Sequence, residues 1–317
     1  MLEAFGLPPL ERPLSKTTMK VKNFSDTKWN KKIQPLPCIA MEKMDGVSCV
    51  MINIKGTTLM FSREGKLLKN LMKYVELYSS LDLDCLRNTV VTLEICNDEL
   101  SLEQISGIVN PNRKEPLEDT IEQVWSNHTY LAAFDMVTLD DFIRGQDSYD
   151  FNGRLYDLSY IAEECNFVVP SYHYFENEEE VQQFFEFVTN SGGEGIVRCL
   201  PDSNWIAGYK NHAKTKQVRG VDFDLEVIDV EQGIGKRADM VANLVVRWRS
   251  GGDLLSPPER LSIDGRFTDA IRIEWWNTPS LIIGKIVHVH ALQMGSKGSL
   301  RLPKVQAVRI DKHEADL

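Results

Sequence analysis

The chain has 317 residues, 43% of them hydrophobic and 26% charged, with a formal net charge of −10 at pH 7. These proportions are typical of globular proteins and the length suggests about two domains, which excludes a wholly disordered chain, a collagen and a coiled-coil rod. No run of 18 apolar residues is present, so we expect no membrane span. The first residues lack the basic and apolar regions of a secretory signal. The six cysteines are scattered without a Cys-x-x-Cys pair, a pattern typical of reduced intracellular thiols.

Positive charge is concentrated near the N-terminus. Between Arg12 and Lys32 the sequence has one arginine and six lysines against a single acid, Asp26. We interpret residues 1–38 as an extended basic arm. The arm is either merely solvated or a surface for a polyanion, because the local field matters more than the total charge.

Strand-like and helix-like segments alternate from residue 39 to about residue 220. Ser101 and Gln104 predict a capping box at the start of a short helix. Helical spacing of apolar residues predicts helices over 70–81, 152–165 and 177–190. Apolar and β-branched runs predict strands over 47–53, 58–61, 90–96, 130–137 and 195–200.

The sequence pattern changes after about residue 221. Five β-like runs separated by glycine and proline follow, over 223–230, 241–249, 270–276, 285–292 and 305–310. Five strands in about 95 residues predict a small antiparallel barrel, for which the OB-fold is the common five-stranded form. We therefore place a domain boundary near residue 220.

The segment Glu42-Lys43-Met44-Asp45-Gly46 has the composition of a covalent catalytic site. A lysine at a strand end, beside a carboxylate and a glycine turn, suits covalent catalysis when its amine is neutral, and burial or nearby cations lower its pKa toward that state. A strand–turn–strand with a surface lysine has the same composition, so this segment alone is a weak signal.

Other polar residues lie in similar settings. Glu94 is inside an apolar strand, where a carboxylate is costly unless it faces a site or water. Phe134 precedes Asp135, and a phenylalanine in a strand is usually part of the core. Lys214 and Lys216 alternate along a strand, so both point to one face and form either an anion site or a solvated edge.

Taken in order, these residues resemble the motifs of the covalent nucleotidyltransferases, and in particular of the short ATP-dependent DNA ligases of bacteriophages. The resemblance spans residues 39–312. Its motifs are Lys43-Met44-Asp45-Gly46, Ser62-Arg63, Glu94, Phe134-Asp135, Glu194-Gly195, Lys214-Thr215-Lys216, Gly298-Ser299-Leu300-Arg301-Leu302-Pro303 and Arg309-Ile310-Asp311-Lys312.

The resemblance implies an α+β fold. An adenylation (nucleotidyltransferase) domain with antiparallel sheets and flanking helices would occupy 39–220, with the basic arm 1–38 as part of it. A small all-β OB-fold would occupy 221–317.

The resemblance also implies roles for individual residues. Lys43 would attack the α-phosphate of ATP and become lysyl-AMP, while Phe134 would stack on the adenine. Glu94 would hold the ribose. Glu194 would work with Mg²⁺ or Mn²⁺, and Glu94 is a second candidate metal ligand. The other implied catalytic residues are Asp45, Lys214 and Lys216, and the implied nucleotide contacts are Glu42, Arg63, Lys214, Lys216, Arg309 and Lys312.

The implied partner is nicked duplex DNA with a 5′-phosphate and a 3′-hydroxyl. We expect a monomer without membrane attachment that acts in the cytoplasm of a phage-infected bacterial cell. DNA replication, repair and recombination are the processes that the resemblance suggests.

The sequence departs from the family pattern at two places. Ser48 stands where the family usually has an arginine, and Thr92-Leu93 precedes Glu94 where Asp-Gly is usual. Both changes affect the expected ribose contacts and leave an RNA ligase or an RNA-capping guanylyltransferase open. The C-terminal motif at 309–312 weighs against most RNA ligases, and Arg301-Leu302-Pro303 weighs against capping enzymes.

A third hypothesis is a single-strand-binding OB protein without catalysis. The set of lysines and carboxylates argues against it. The six histidines lack the spacing of a zinc site, and no GxxxxGK[ST] string is present for a P-loop.

Overall fold

The computed structural model of the protein describes residues 10, 12, 18–24, 36–80, 86–208, 210–265, 267–294 and 298–317. These residues form two compact units, the first ending at Val218 and the second beginning at Arg219. Most of the predicted basic arm, including the lysines at 16, 28, 31 and 32, lies outside the described residues.

The first unit contains strands and helices in alternation. Its helices are α1 (Met72–Ser80), α2 (Leu102–Val109), α3 (Asp119–His128), α4 (Leu139–Arg144), α5 (Phe151–Ala162) and α6 (Glu178–Asn190). Its strands are β1 (Lys20–Asn23), β2 (Cys38–Glu42), β3 (Val47–Ile54), β4 (Thr57–Ser62), β5 (Thr89–Asn97), β6 (Thr129–Thr138), β7 (Gln146–Asp147), β8 (Tyr172–Phe175), β9 (Gly195–Cys199), β10 (Trp205–Ile206) and β11 (Lys210–Val218).

Two larger sheets organise this unit. One has the order β1-β11-β9-β2-β8 and the other β4-β3-β5-β6, while β7 pairs with β10. All of these pairs are antiparallel except β1 with β11, which is parallel. The expectation of purely antiparallel sheets is therefore wrong at this edge. No short turn joins β1 to β11, so local sequence does not set their relative direction.

Apolar residues cover both faces of the four-stranded sheet. Met51 and Leu93 belong to one core cluster, which also includes residues of α1, α2 and α5. Val50 and Val90 belong to a second cluster, which includes residues of α4. The period-2 alternation of side chains divides the strand residues between these clusters. Packing on both faces therefore fixes the position of this sheet, including the ends of its strands.

The second unit is built around one sheet with the order β14-β13-β12-β15-β18. Its elements are β12 (Val221–Gln232), β13 (Val241–Arg249), β14 (Pro258–Ile263), α7 (Asp269–Asn277), β15 (Ile286–Ala291), β16 (Gln293–Met294), β17 (Leu300–Arg301) and β18 (Lys304–Arg309). An isolated parallel bridge joins Gly265, just after β14, to Val305 in β18.

The prediction of a strand over 270–276 is wrong, because this segment is helix α7. Thr268 caps the helix by accepting a hydrogen bond from the backbone N–H of Ile271. Arg272 and Trp275 are both buried. Residues three apart share one face of a helix but lie on opposite faces of a strand, so only the helix buries both.

The sheet still has five strands, because it includes β14 at one edge. The sequence analysis did not predict this strand. Prolines separate the strands in the sequence pattern, but Pro258 is the first residue of β14. A proline is tolerated at the first residue of an edge strand.

No helix among the described residues is long and apolar enough to cross a membrane.

Candidate active site

Lys43 lies where the chain passes from one large sheet of the first unit to the other. It follows β2 in the five-stranded sheet and precedes β3 in the four-stranded sheet. Its backbone N–H donates to the carbonyl of Gly195 at 2.8 Å. Its Nζ lies 2.5 Å from Oε2 of Glu194, and the two side chains are 18% and 7% exposed. The ammonium is thus held at a strand end by a nearly buried carboxylate.

Two glycines permit this arrangement. A Cβ on Gly46 would lie 2.4 Å from the carbonyl oxygen of Ile95, so only glycine lets the turn after Lys43 pass this close to β5. Gly195 has a φ of +147°, and a Cβ there would lie 2.2 Å from the carbonyl oxygen of Gln217. The glycines following Asp45 and Glu194 therefore bring the lysine and the carboxylate together.

Glu94 is opposite Ser48 in the pairing of β5 with β3. Burial raises the pKa of the Glu94 carboxyl to about 7, with Lys43 opposing the shift and Glu194 and Asp45 adding to it. Ser48 is thus the direct cross-strand neighbour of Glu94. It stands where the family usually has an arginine. Ser48 supplies no positive charge there, which leaves the burial of Glu94 less compensated.

Three other predicted site residues are placed around the same turn. Asp45 and Arg63 are exposed, and their charges act on the Glu94 carboxyl in opposite directions. Glu42 ends β2 and is half-buried. Its Oε1 lies 3.4 Å from where a Cβ on Gly193 would be. The loop before Glu194 therefore approaches the carboxylate of Glu42.

Lys214 and Lys216 lie on β11, next to β9 in the sheet. The register sets Lys216 level with Val197 and Met41 across three strands. Lys214 and Lys216 therefore lie on the same face of the sheet as Met41, which precedes Lys43 by two residues. The strand that carries Lys214 and Lys216 is therefore separated by one strand from β2, which ends directly before Lys43.

Phe134, on β6 of the four-stranded sheet, lies beside Lys214 of the five-stranded sheet. Phe134 is half-buried, and Nζ of Lys214 lies 5.4 Å from the centre of its ring. The same Nζ lies 5.2 Å from the ring centre of Phe151. An aromatic ring that is only partly buried and lies beside a cation suits stacking against a flat, polar-edged ligand.

The sequence analysis did not identify two residues of this region, Asp135 and Arg154, as site residues. Asp135 is 2% exposed and receives hydrogen bonds from Nζ of Lys214 at 3.3 Å and from Nε of Arg154 at 2.8 Å. Burial works to raise the pKa of Asp135, but Lys214 and Arg154 hold it below its usual value. The aspartate directly after Phe134, inside an apolar strand, could have indicated this network from the sequence. Nothing in the sequence around Arg154 on α5 indicates that it takes part.

Charges of both signs act on the Glu94 carboxyl beside Lys43. Glu194 and Asp45 raise its pKa, and Lys43 and Arg63 lower it. No group of three or more potential metal-ligating side chains occurs in the part of the chain that the structure describes. Mg²⁺ is usually held by one or two carboxylates together with substrate phosphates, so the pair Glu94 and Glu194 fits such an ion.

Arg309 and Lys312, the two predicted nucleotide contacts from the C-terminal motif, belong to the second unit. There Arg309 is bound to Asp224 and Asp311, and Lys312 is bound to Asp224 and Asp316. The other predicted site residues all belong to the first unit.

Residues 18–216 match the family model described as "ATP dependent DNA ligase domain". The chain belongs to the ATP-dependent DNA ligase family. The match covers more than half of the chain, so the resemblance inferred from the motifs is confirmed. A search of curated protein sequences finds no significant match.

Solved DNA ligase structures share the fold of this ligase. A bacteriophage T7 ATP-dependent DNA ligase in complex with ATP is 14% identical, with a TM-score of 0.54, and the match covers 93% of this chain and 99% of that one. A Lig E DNA ligase, described as binding DNA with a minimal scaffold, is 18% identical with a TM-score of 0.67, covering 92% and 98%. A structure described as "Pmar-Lig_Pre." is 18% identical with a TM-score of 0.78, covering 94% and 68%.

Proposed function

We propose that this ATP-dependent DNA ligase seals 5′-phosphate/3′-hydroxyl nicks in duplex DNA through a lysyl-AMP intermediate on Lys43. The observation that carries the proposal is the position of Nζ of Lys43, 2.5 Å from Glu194 at the turn that joins the two large sheets. The lysine faces a carboxylate that can accept its proton, and Lys214 and Lys216 lie on the neighbouring sheet face.

In the first step Lys43 acts as a nucleophile. Its ammonium loses a proton, for which Glu194 is the neighbouring acceptor, and the neutral Nζ attacks the α-phosphorus of ATP. A phosphorus–nitrogen bond forms, the bond from the α-phosphorus to the bridging oxygen breaks, and pyrophosphate leaves. Positive charge from Lys214 and Lys216 would stabilise the charge that develops on the phosphate, which is the main requirement of such transfers.

The next two steps move the AMP and close the nick. An oxygen of the DNA 5′-phosphate attacks the lysyl-AMP, the phosphorus–nitrogen bond breaks, and DNA-adenylate forms. The 3′-hydroxyl then attacks the 5′-phosphorus, its proton is lost, and AMP leaves as the phosphodiester forms. Arg63 is proposed to contact the AMP phosphate or the 5′-phosphate of the nick.

The rest of the nucleotide would lie against residues of the first unit. Phe134 is proposed to stack on the adenine and Glu94 to hold the ribose, with Glu42 and Asp45 beside the phosphate end. Glu194, with Glu94, would hold Mg²⁺ or Mn²⁺. A bound divalent ion supplies positive charge to the α-phosphate, which adds to that of the two lysines.

The second unit is proposed to be an OB-fold over residues 221–317. Its five-stranded antiparallel sheet supports this assignment. The bridge between Gly265 and Val305 joins the segment after one edge strand, β14, to the other edge strand, β18. Arg309, Asp311 and Lys312 would orient the pyrophosphate in the first step. The arm and adenylation domain would together occupy residues 1–220.

We further propose that the enzyme acts as a monomer on nicked duplex DNA in the cytoplasm of a phage-infected bacterial cell. Replication, repair and recombination all produce nicks of the required chemistry. The family match favours a DNA ligase over an RNA ligase or a capping guanylyltransferase.

The proposal is tested with labelled nucleotide and a nicked duplex. The protein should form an acid-labile covalent adduct with ATP labelled at the α-phosphate and not with labelled GTP. It should then seal a DNA nick, and exchanging each strand for RNA defines its tolerance. An adduct with GTP, or sealing confined to RNA, would contradict the proposal.

A further inference from the structure

Asp224 in the second unit holds two cations of the C-terminal motif at once. Its Oδ2 lies 2.7 Å from Nη1 of Arg309 and 2.5 Å from Nζ of Lys312. Its Oδ1 lies 3.1 Å from Nδ1 of His288. Asp224 is only 4% exposed, so this carboxylate is nearly buried beneath the groups that it binds.

The register of the sheet explains why these side chains meet. Asp224 on β12 is directly opposite His288 on β15, and His288 is opposite Ala307 on β18. Arg309 is two residues beyond Ala307, so its side chain emerges on the same face. The other face of these strands carries core residues such as Leu225 and Val287. Asp224 is therefore on the outer face of the sheet, together with His288 and Arg309.

A second carboxylate binds the remaining edge of the Arg309 guanidinium. Nε and Nη2 of Arg309 donate to the two oxygens of Asp311 at 2.9 and 2.7 Å. The guanidinium is thus clamped between Asp311 on one edge and Asp224 at Nη1. A planar group held on two sides has a fixed orientation and loses little freedom when a further ligand binds.

The clamp leaves donors for a phosphate. A guanidinium has five N–H groups, and the contacts to Asp224 and Asp311 use three of them. One N–H remains on each terminal nitrogen of Arg309. The ammonium of Lys312 has three N–H groups and is bound to two carboxylates, those of Asp224 and Asp316. Both cations can bind a phosphate oxygen without leaving Asp224.

We propose that Asp224 is a positioning residue for the first step of ligation, holding Arg309 and Lys312 in the geometry that binds the pyrophosphate of ATP. The inference rests on the role given above to those two cations. Asp224 itself would not touch the nucleotide. It acts through the cations, so its removal affects enzyme adenylation and spares the later sealing step.

The test compares two reactions of the full-length protein. Asp224→Asn keeps the shape of the side chain and removes its charge. We expect the rate of adduct formation with ATP to fall by about 10²-fold, a loss typical of a displaced or missing contact to a reacting phosphate. Sealing of a nick that already carries 5′-AMP should change by less than about threefold, since that step needs no pyrophosphate contact.

Asp264→Asn is the matched control. Asp264 also binds one arginine and one lysine of the second unit, Arg272 at 2.7 Å and Lys304 at 3.2 Å. Neither of these cations is part of the C-terminal motif. Asp264→Asn should lower the unfolding temperature without separating adenylation from sealing. A loss of adenylation alone in this control would show that any broken ion pair of the unit has that effect, and would overturn the inference.

Combining substitutions distinguishes positioning from an independent structural effect. If Asp224 acts only through the cations, Asp224→Asn should add less than about threefold to the adenylation defect of the double variant Arg309→Ala/Lys312→Ala. Multiplying defects would overturn the inference, as would equal losses in both reactions or faster adenylation by Asp224→Asn. If Arg309→Ala/Lys312→Ala adenylates normally, the proposed role of the motif fails instead.

If Asp224→Asn does not fold, Asp311→Asn provides a second test of the clamp on Arg309. The Asp311 side chain is 62% exposed, so its substitution leaves the core intact. It opens the other edge of the clamp and should also slow adenylation more than sealing. Normal adenylation by Asp311→Asn would contradict a clamp on Arg309.

Discussion

The raised pKa of Glu94 makes the stability of the fold depend on pH at a single residue. Its pKa in the folded protein is about 7, chiefly because of burial, whereas an ordinary glutamate titrates near 4.5. The folded state therefore binds a proton more tightly than the unfolded state. Stability is fully present below the lower of these pKa values and falls as the pH rises between them. A bound divalent metal ion would compensate the negative charge of the ionised carboxyl.

We predict that Glu94→Gln stabilises the enzyme that carries no nucleotide at pH 8 and has little effect at pH 4.5. Each pKa unit corresponds to about 1.4 kcal/mol. Urea unfolding at the two pH values measures the difference, and Glu99→Gln provides an exposed control nearby in the chain. The same variant should bind ATP more weakly. A destabilisation that is equal at both pH values would mean that Glu94 is ionised in the fold throughout this range.

At the level of single elements, β11 carries Lys214 and Lys216 on one face of its sheet. Lys214 is fixed by Asp135, whereas Lys216 is half-buried on the same face. We predict that Lys216→Ala reduces adduct formation by roughly 10²–10³-fold, because one preorganised charge at a reacting phosphate is lost.

Gln217→Ala is the control for this prediction. Gln217 is the next residue on β11 and its side chain binds Gln182. The variant should form adduct at close to the rate of the unsubstituted enzyme, and both variants should keep the circular dichroism spectrum of the fold. Similar rates for Lys216→Ala and Gln217→Ala would argue against a phosphate contact on this strand.

Helix α7 depends on one buried arginine. Arg272 donates to the backbone carbonyls of Val241, Ala242 and Gly265 and to Asp264. Arg272→Met removes the side-chain donor to the three backbone carbonyls, while Asp264 keeps its contact with Lys304. We predict a loss of about 3 kcal/mol in unfolding free energy, because a buried acceptor that loses its donor costs about 1–3 kcal/mol.

Arg260→Met tests whether burial decides this cost. Arg260 is paired with Asp229 at 2.5 Å, but its side chain is 62% exposed. Its loss should cost less than about 1 kcal/mol. Chemical denaturation followed by tryptophan fluorescence compares the two, and equal costs would contradict the assigned role of Arg272.

The elements also show what sequence can and cannot predict. The capping box at Ser101 and Gln104 is a local feature, and the structure confirms it. The run Ile271-Arg272-Ile273-Glu274 alternates as a strand does and so predicts a strand where the structure has helix α7. Its helical state depends on Arg272 reaching residues about thirty positions away. The role proposed for Asp224 depends on strand register, which no local pattern shows.

At the scale of the whole molecule, the first unit has its own core. The four core clusters outside the second unit consist of residues that precede Val218. We predict that a fragment of residues 1–220 folds but forms adduct slowly, since it lacks Arg309 and Lys312. It should also bind nicked duplex weakly, because the second unit is proposed to share the DNA contacts.

Adduct and gel-shift assays on this fragment beside the full chain measure both effects. A cooperative melting transition of the fragment is the necessary control. A fragment that adenylates and seals as fast as the full chain would mean that residues 221–317 serve another purpose.

The most direct test of the account is the identity of the adenylated residue. Lys43→Ala should form no adduct with labelled ATP and should not seal an ordinary nick, but it should still seal a nick that already carries 5′-AMP. Lys114→Ala removes an exposed lysine from the same unit and should behave as the unsubstituted enzyme. Mass spectrometry of the adduct should place the AMP on Lys43. AMP on another lysine, or ATP-dependent sealing by Lys43→Ala, would contradict the account.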